Sequence, residues 1–123
     1  MTDSILNSVK KNLGLDANYK AFNPDIIMHI NSVFGTLHQL AVGPLEGFQI
    51  EDGSNTWGEF TDNQVLLNPV KSYITLQVRM MFDPPTTSFH LEAIKEQIRE
   101  FEWRISIQRE ESVVWAPPAP LSS

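Results

Sequence analysis

Between Asn23-Pro24 and Gly43-Pro44 the chain carries Ile26, Ile30, Val33, Leu37 and Leu40 at spacings of four, three, four and three residues. An α-helix returns side chains to one face at that interval, so this stretch reads as a helix burying an apolar stripe. Ile27, Phe34 and Ala41 widen the stripe. Asn23 suits the N-cap, and Pro24 suits the first helical position, where its missing N–H costs nothing. Asp25 complements the positive helix end, and Gly43-Pro44 stops the helix. So wide an apolar face needs partners. A chain of 123 residues sets the prior at one domain able to bury roughly two-thirds of its unfolded surface.

Gly and Pro punctuate the rest of the chain into further helices. Ile5, Leu6, Val9 and Leu13 share one face of a helix over Asp3–Leu13, with Thr2 or Asp3 as its cap, Lys10 and Lys11 in its last turn and Gly14 just past its end. Asn68-Pro69 repeats the Asn-Pro start. Over Val70–Phe82, Ile74, Leu76, Val78 and Met80 alternate as in a strand, whereas Val70, Tyr73, Ile74, Gln77, Val78 and Met81 fit a helix. Length and the Asn-Pro start favour a buried helix over Pro69–Phe82, ended by Asp83-Pro84-Pro85. Leu91, Ile94, Ile98, Phe101 and Ile105 then form the seam of a helix over Ser88–Gln108, with Thr86, Thr87 and Ser88 as candidate caps. The expected fold is all-α: a compact four-helix domain over residues 1–109, centred on Ile30, Val33, Leu37, Ile74, Val78, Ile94, Ile98 and Phe101.

Two stretches fall outside this pattern. From Gly43 to Leu67 no period is sustained, and Glu46, Glu51, Asp52, Glu59 and Asp62 make the charge wholly acidic. Asp52-Gly53 is a turn signal, and Phe48 and Ile50 alternate with polar neighbours, which allows a short β-hairpin; Trp57 and Phe60 are the expected anchors to the core. A loop this long in so small a domain is often functional. Residues 110–123 form the second stretch. Pro117, Pro118 and Pro120 exclude a helix there, and an extended arm is expected from Ser112 onward. Val113, Val114, Trp115 and Leu121 make it more apolar than a free linker, so it reads either as a docking arm or as a passive terminus.

Chemistry is sparse. There is no cysteine, which excludes disulfides, thiol catalysis and thiolate metal sites. His29, His38 and His90 lack metal-chelating spacing and read as ordinary surface or boundary residues. No glycine-rich phosphate loop and no nucleophile elbow is present. Glu51-Asp52-Gly53-Ser54-Asn55 lacks the ligand spacing of a calcium loop, so a solvated acidic loop is the simpler reading. No cofactor and no catalysis are expected. No apolar run reaches the roughly 20 residues of a membrane span, and Met1–Leu6 lacks the features of a secretory signal. Nine Lys plus Arg against fifteen Asp plus Glu give a net charge of −6, which argues against wrapping DNA in a cationic surface.

The last helix carries the clearest surface signal. Glu92, Glu96 and Glu100 project opposite the seam, Lys95 and Arg99 line one flank, and the pairs Glu92–Lys95, Glu96–Arg99 and Glu100–Arg104 fall at ion-pairing distance in sequence. Trp103 sits among the acids rather than on the seam. It reads as an interface anchor or as an incidental exposed aromatic. Stripes of opposite charge around an exposed Trp suit a contact with a neighbouring subunit.

Asn23 to Phe34, the following Val42-Gly43-Pro44, Tyr73 to Asp83-Pro84-Pro85, and Phe101-Glu102-Trp103-Arg104 resemble the small head–tail connector proteins of long-tailed double-stranded DNA phages, also called portal adaptors or head-completion proteins. The resemblance covers roughly Ser4 to Arg109. It implies a mostly helical subunit, made in the host cytoplasm and placed in the virion neck, that assembles as a dodecameric ring beneath the portal. Such a ring extends the DNA channel, lets DNA pass without sequence-specific binding, and presents a surface to the next stopper or tail-completion protein. It also implies a terminal arm that docks on the portal or on a neighbour, a role open to Val113, Val114, Trp115, Pro117, Pro118, Pro120 and Leu121. The competing reading from another class is a helical DNA-packaging or regulatory module such as a small terminase subunit. Against it, the helix from Pro24 to Ala41 has only His29 and His38 as possible cations and no basic cluster follows. A small enzyme with an acidic active-site loop ranks lower, since no acid/base pair can be located.

Overall fold

The computed structural model describes residues 3–113 of the chain. Helices α1 (Ile5–Asn12), α2 (Asn23–Gln39), α3 (Trp57–Phe60), α4 (Gln64–Phe82) and α5 (Ser88–Val113) follow one another. Among the described residues there is no strand: the short β-hairpin that the sequence allowed is absent, and one isolated bridge joins Ser4 and Thr56. The fold is mostly helical, with the short α3 added to the four helices expected.

Helix α4 organises the core by packing against α5, α2 and α1. Ile26, Ile30, Val33 and Leu37 of α2 are buried against it, as are Ile74 and Val78 of α4 and Ile94 and Ile98 of α5. Phe101 is only partly buried and lies at the edge of this core rather than its centre. Leu37 is wholly buried, so Leu37→Ala removes both transfer energy and packing, and a loss of about 2–5 kcal/mol is expected in chemical denaturation.

The helix ends show where local signals misled. Ser4, not Thr2 or Asp3, caps α1, accepting a hydrogen bond from the Asn7 N–H at 3.2 Å; Thr2 lies outside the described residues. Asn23 is the first residue of α2 and its side chain makes no cap; Phe22 holds the N-cap position. Helix α4 starts four residues before Asn68-Pro69, at Gln64, so Pro69 lies inside it. Asn63 supplies the cap, accepting from the Val65 and Leu66 N–H groups at 3.1 and 3.2 Å. Pro69 leaves the Val65 carbonyl without its helical donor, and Val65 is exposed, which places that loss near solvent.

At the C-termini, α1 and α2 close the same way. Gly14 (φ 82°) and Ala41 (φ 62°) adopt the left-handed conformation. The Leu15 and Gly14 N–H groups return to the Lys10 and Lys11 carbonyls at 2.9 and 3.1 Å, and those of Val42 and Ala41 return to Leu37 and His38 at 2.9 and 3.0 Å. These paired bonds define the Schellman closure, for which glycine is the usual residue. Ala41 therefore terminates α2 and lies outside the apolar stripe it was expected to widen. It is exposed, and Leu40 is partly so.

Lys10 has a role its position in the last turn of α1 did not reveal. Its side chain is wholly buried, and its ammonium donates to the carbonyls of Ala17 and Tyr19 at 3.1 and 2.6 Å. It thereby fastens the connection to α2, where Tyr19, Phe22 and Phe82 stack edge to face.

Helix α5 extends to Val113, so Ser112 and Val113 belong to it and not to an extended arm. Val114, Trp115, Pro117, Pro118, Pro120 and Leu121 lie outside the described residues.

Candidate interaction surface

The acidic stretch after α2 is a built loop. The Asn31 side chain of α2 pairs with Ile50 as a strand would, donating to its carbonyl at 3.0 Å and accepting from its N–H at 2.8 Å. Asn55 accepts from the Glu51 and Asp52 N–H groups at 2.7 and 3.3 Å, and donates to Glu59 at 3.0 Å. The Ser54 hydroxyl and amide both donate to Asp52 and hold its carboxyl below the usual range. Phe48 and Phe60 stack on Phe34 of α2, with centroids 4.9–5.0 Å from it. Gly43 permits this: at its φ of 94° a Cβ would stand 2.5 Å from the Phe60 ring. Trp57 and Phe60 are the expected anchors, both buried. The Asn31 and Asn55 clamps carried no sequence signal beyond their residue type, because each acts on a loop many residues from an apolar period.

With the backbone satisfied inward, Glu46, Glu51, Asp52, Glu59 and Asp62 are all exposed. The loop opens on a turn in which the Gly47 N–H donates to the Pro44 carbonyl at 3.0 Å. His38 of α2 braces it through a hydrogen bond between its Nε2 and the Leu45 carbonyl at 2.9 Å.

Helix α5 carries the charged stripes read from the sequence. Lys95 pairs with Glu92 at 3.7 Å, Arg104 with Glu100 at 2.6 Å, and Arg99 with Glu96. All six side chains are largely exposed, so each pair adds little to the stability of one copy. Trp103 is 65 % exposed. Glu102 instead faces inward, accepting from the Tyr73 hydroxyl at 2.8 Å, while Gln77 donates to that hydroxyl at 3.1 Å. Burial pushes the Tyr73 phenol up to about 12, Gln77 offsets this in part, and the Glu102 carboxylate adds to the rise. The phenol stays protonated and joins α4 to α5.

Beside that joint runs a groove of about 610 Å³ between α4 and α5, lined by Val65, Pro69, Phe101, Trp103, Arg104 and Ile107 among others. Ser72 and Phe101 continue it into a second, more polar groove lined by Lys71, Thr75, Leu76, Arg79 and Gln97. Lys71 lies over the Trp57 ring at 5.6 Å, and neither it nor Arg79 forms an ion pair among the described residues. Trp103 is therefore one wall of an apolar groove with a cationic extension, a setting that the charge stripes alone did not predict.

His29 is half-buried, His38 braces the opening turn of the loop, and His90 meets the Thr87 hydroxyl in the first turn of α5 at 2.7 Å. Among the described residues no group of three His, Cys, Asp or Glu side chains is placed to hold a metal ion. No described helix is long and apolar enough to cross a membrane.

A family model described as phage connector protein matches residues 5–112. No curated protein matches the chain, and no solved structure does.

Proposed function

The chain belongs to the phage connector protein family, and from that premise we propose that it is the virion's head–tail connector, a structural subunit forming a dodecameric ring beneath the portal. The match over residues 5–112 carries this reading. Its physical support is an exposed Trp103 beside an apolar groove on a helix whose core face is already filled. A ring contact is heterologous, joining two different patches, and the α5 face with Glu92, Lys95, Glu96, Arg99, Glu100 and Trp103 supplies one of them. Such a subunit extends the DNA channel and docks the next stopper or tail-completion protein. It needs no catalytic group. Its net charge of −6 suits a conduit along which DNA slides, because closely paired phosphates would hold it back.

The residues that follow α5, Val114, Trp115, Pro117, Pro118, Pro120 and Leu121, dock on the portal or an adjacent subunit in this reading, with Val113 at the helix end that carries them. Helix α5 brings them there: its 26 residues span about 39 Å at 1.5 Å per residue, and Ile107 and Gln108, near its C-terminal end, line one groove with Val65 at the start of α4. Ordering an arm costs about 1–2 kcal/mol per residue, so Trp115 is the expected dominant anchor. Removing residues 112–123 is expected to leave a folded, soluble protein that no longer joins portal-bearing particles, as read by co-sedimentation. Joining at the full-length level would make the terminus passive.

A further inference from the structure

Leu45 is 95 % exposed, more than any other large apolar side chain among the described residues. It does not sit on a loose segment. The Pro44–Gly47 turn bond and the hydrogen bond from His38 to the Leu45 carbonyl hold the backbone of the turn, so the side chain stands out of a braced turn next to Glu46. An apolar knob on a braced turn loses little backbone freedom on docking, which is the condition under which a single exposed Leu contributes to association. The turn belongs to a stretch with five acids and no Lys or Arg between Gly43 and Leu67.

The groove between α4 and α5 has the opposite character. It offers an apolar trough walled by Val65, Phe101 and Trp103, and along its continuation the cations Lys71 and Arg79; Arg104 on its wall is already paired with Glu100. No residue of the Pro44–Gly47 turn lines it. Knob and trough are separate patches of one chain, as a head-to-tail contact requires.

We infer that in the assembled connector the Pro44–Gly47 turn of each copy seats Leu45 in the α4/α5 groove of the next, with the acidic loop lying along Lys71 and Arg79. Leu45 against Trp103 supplies the desolvated centre, and the charges set register and direction around the ring. The inference rests on the ring reading above and names the second patch that reading leaves unassigned. It also gives the acidic loop a role, since five carboxylates facing five carboxylates in a symmetric pairing would repel.

The absence of cysteine from the chain makes the test clean. Leu45→Cys and Val65→Cys, combined in one chain and treated with a short bis-maleimide under assembling conditions, are expected to give a ladder of linked species beyond the dimer on a denaturing gel. Each single variant is expected to stay unlinked, because in a head-to-tail contact two copies of the same position do not face each other. Leu45→Asp, in which nothing packed within the monomer is removed, is expected to lower the assembled fraction at least tenfold while leaving the helical signal unchanged. Assemblies of wild-type mass without the ladder, or full assembly by Leu45→Asp, overturn the inference and leave the ring standing. A wild-type chain that does not assemble, alone or on a portal, overturns both.

Discussion

Trp57→Ala is expected to cost about 3–5 kcal/mol, the range for truncating a fully buried large aromatic. That is a large share of the stability of a domain this small. Trp57 is 1 % exposed, and its indole N–H donates to the Ser8 hydroxyl of α1 at 3.2 Å. Its own N–H returns to the Asp3 carbonyl at 3.2 Å, beside the Ser4–Thr56 bridge. One side chain thus joins the acidic loop to α1 and supports Lys71 of α4 from below. Urea denaturation followed by circular dichroism reads the loss directly. A drop below about 1 kcal/mol would mean that the loop is not held by the core.

Trp103→Ala is expected to do the reverse, leaving the monomer intact and removing the assembly. The indole is 65 % exposed in a single copy, and alanine favours a helix more than tryptophan does, so helicity should hold or rise slightly. At an interface, loss of a central tryptophan commonly costs 2 kcal/mol or more, which is about 30-fold in each contact. Every ring subunit makes two such contacts, so the concentration needed for assembly rises steeply. Mass photometry across a dilution series separates the outcomes. Assembly at the wild-type concentration would return Trp103 to the incidental aromatics.

The helices were legible where an apolar period ran uninterrupted. In α2 and α5 the seams Ile26–Leu37 and Ile94–Ile105 announce both the element and its buried face. The three α5 ion pairs followed from spacing alone, because residues three and four apart on a helix are neighbours whatever surrounds them. The start of α4 was misread because Asn68-Pro69 copies the Asn23-Pro24 signal. Leu66, Leu67 and Val70 nonetheless continue the stripe of Tyr73, Ile74 and Val78 backward, and the burial of all six outweighs one missing hydrogen bond at Pro69. A local punctuation mark lost to a longer-range apolar face.

The surface was legible in residue type and not in arrangement. Trp103 stood out as an aromatic on a polar face, but its groove needs Val65 and Pro69 from a helix some thirty-five positions earlier, and single-chain spacing does not report such a pairing. Lys10 was placed by the macrodipole argument at the end of α1. The carbonyls of Ala17 and Tyr19 hold it inside instead, because a buried ammonium needs partners and the irregular connection to α2 has backbone oxygens to supply. The clamps of Asn31 and Asn55 are of the same kind: polar side chains satisfying loop backbone, with no periodic trace.

The central claim is that this chain continues the portal's axis as a ring. Imaging portal particles of the cognate virus with and without the purified protein tests it most directly. The account predicts an added annulus on the tail-proximal side of the portal, coaxial with it and with an open channel, built from repeats of a 14.0 kDa subunit. Portal images unchanged by saturating protein, or protein bound as isolated copies away from the axis, would contradict it.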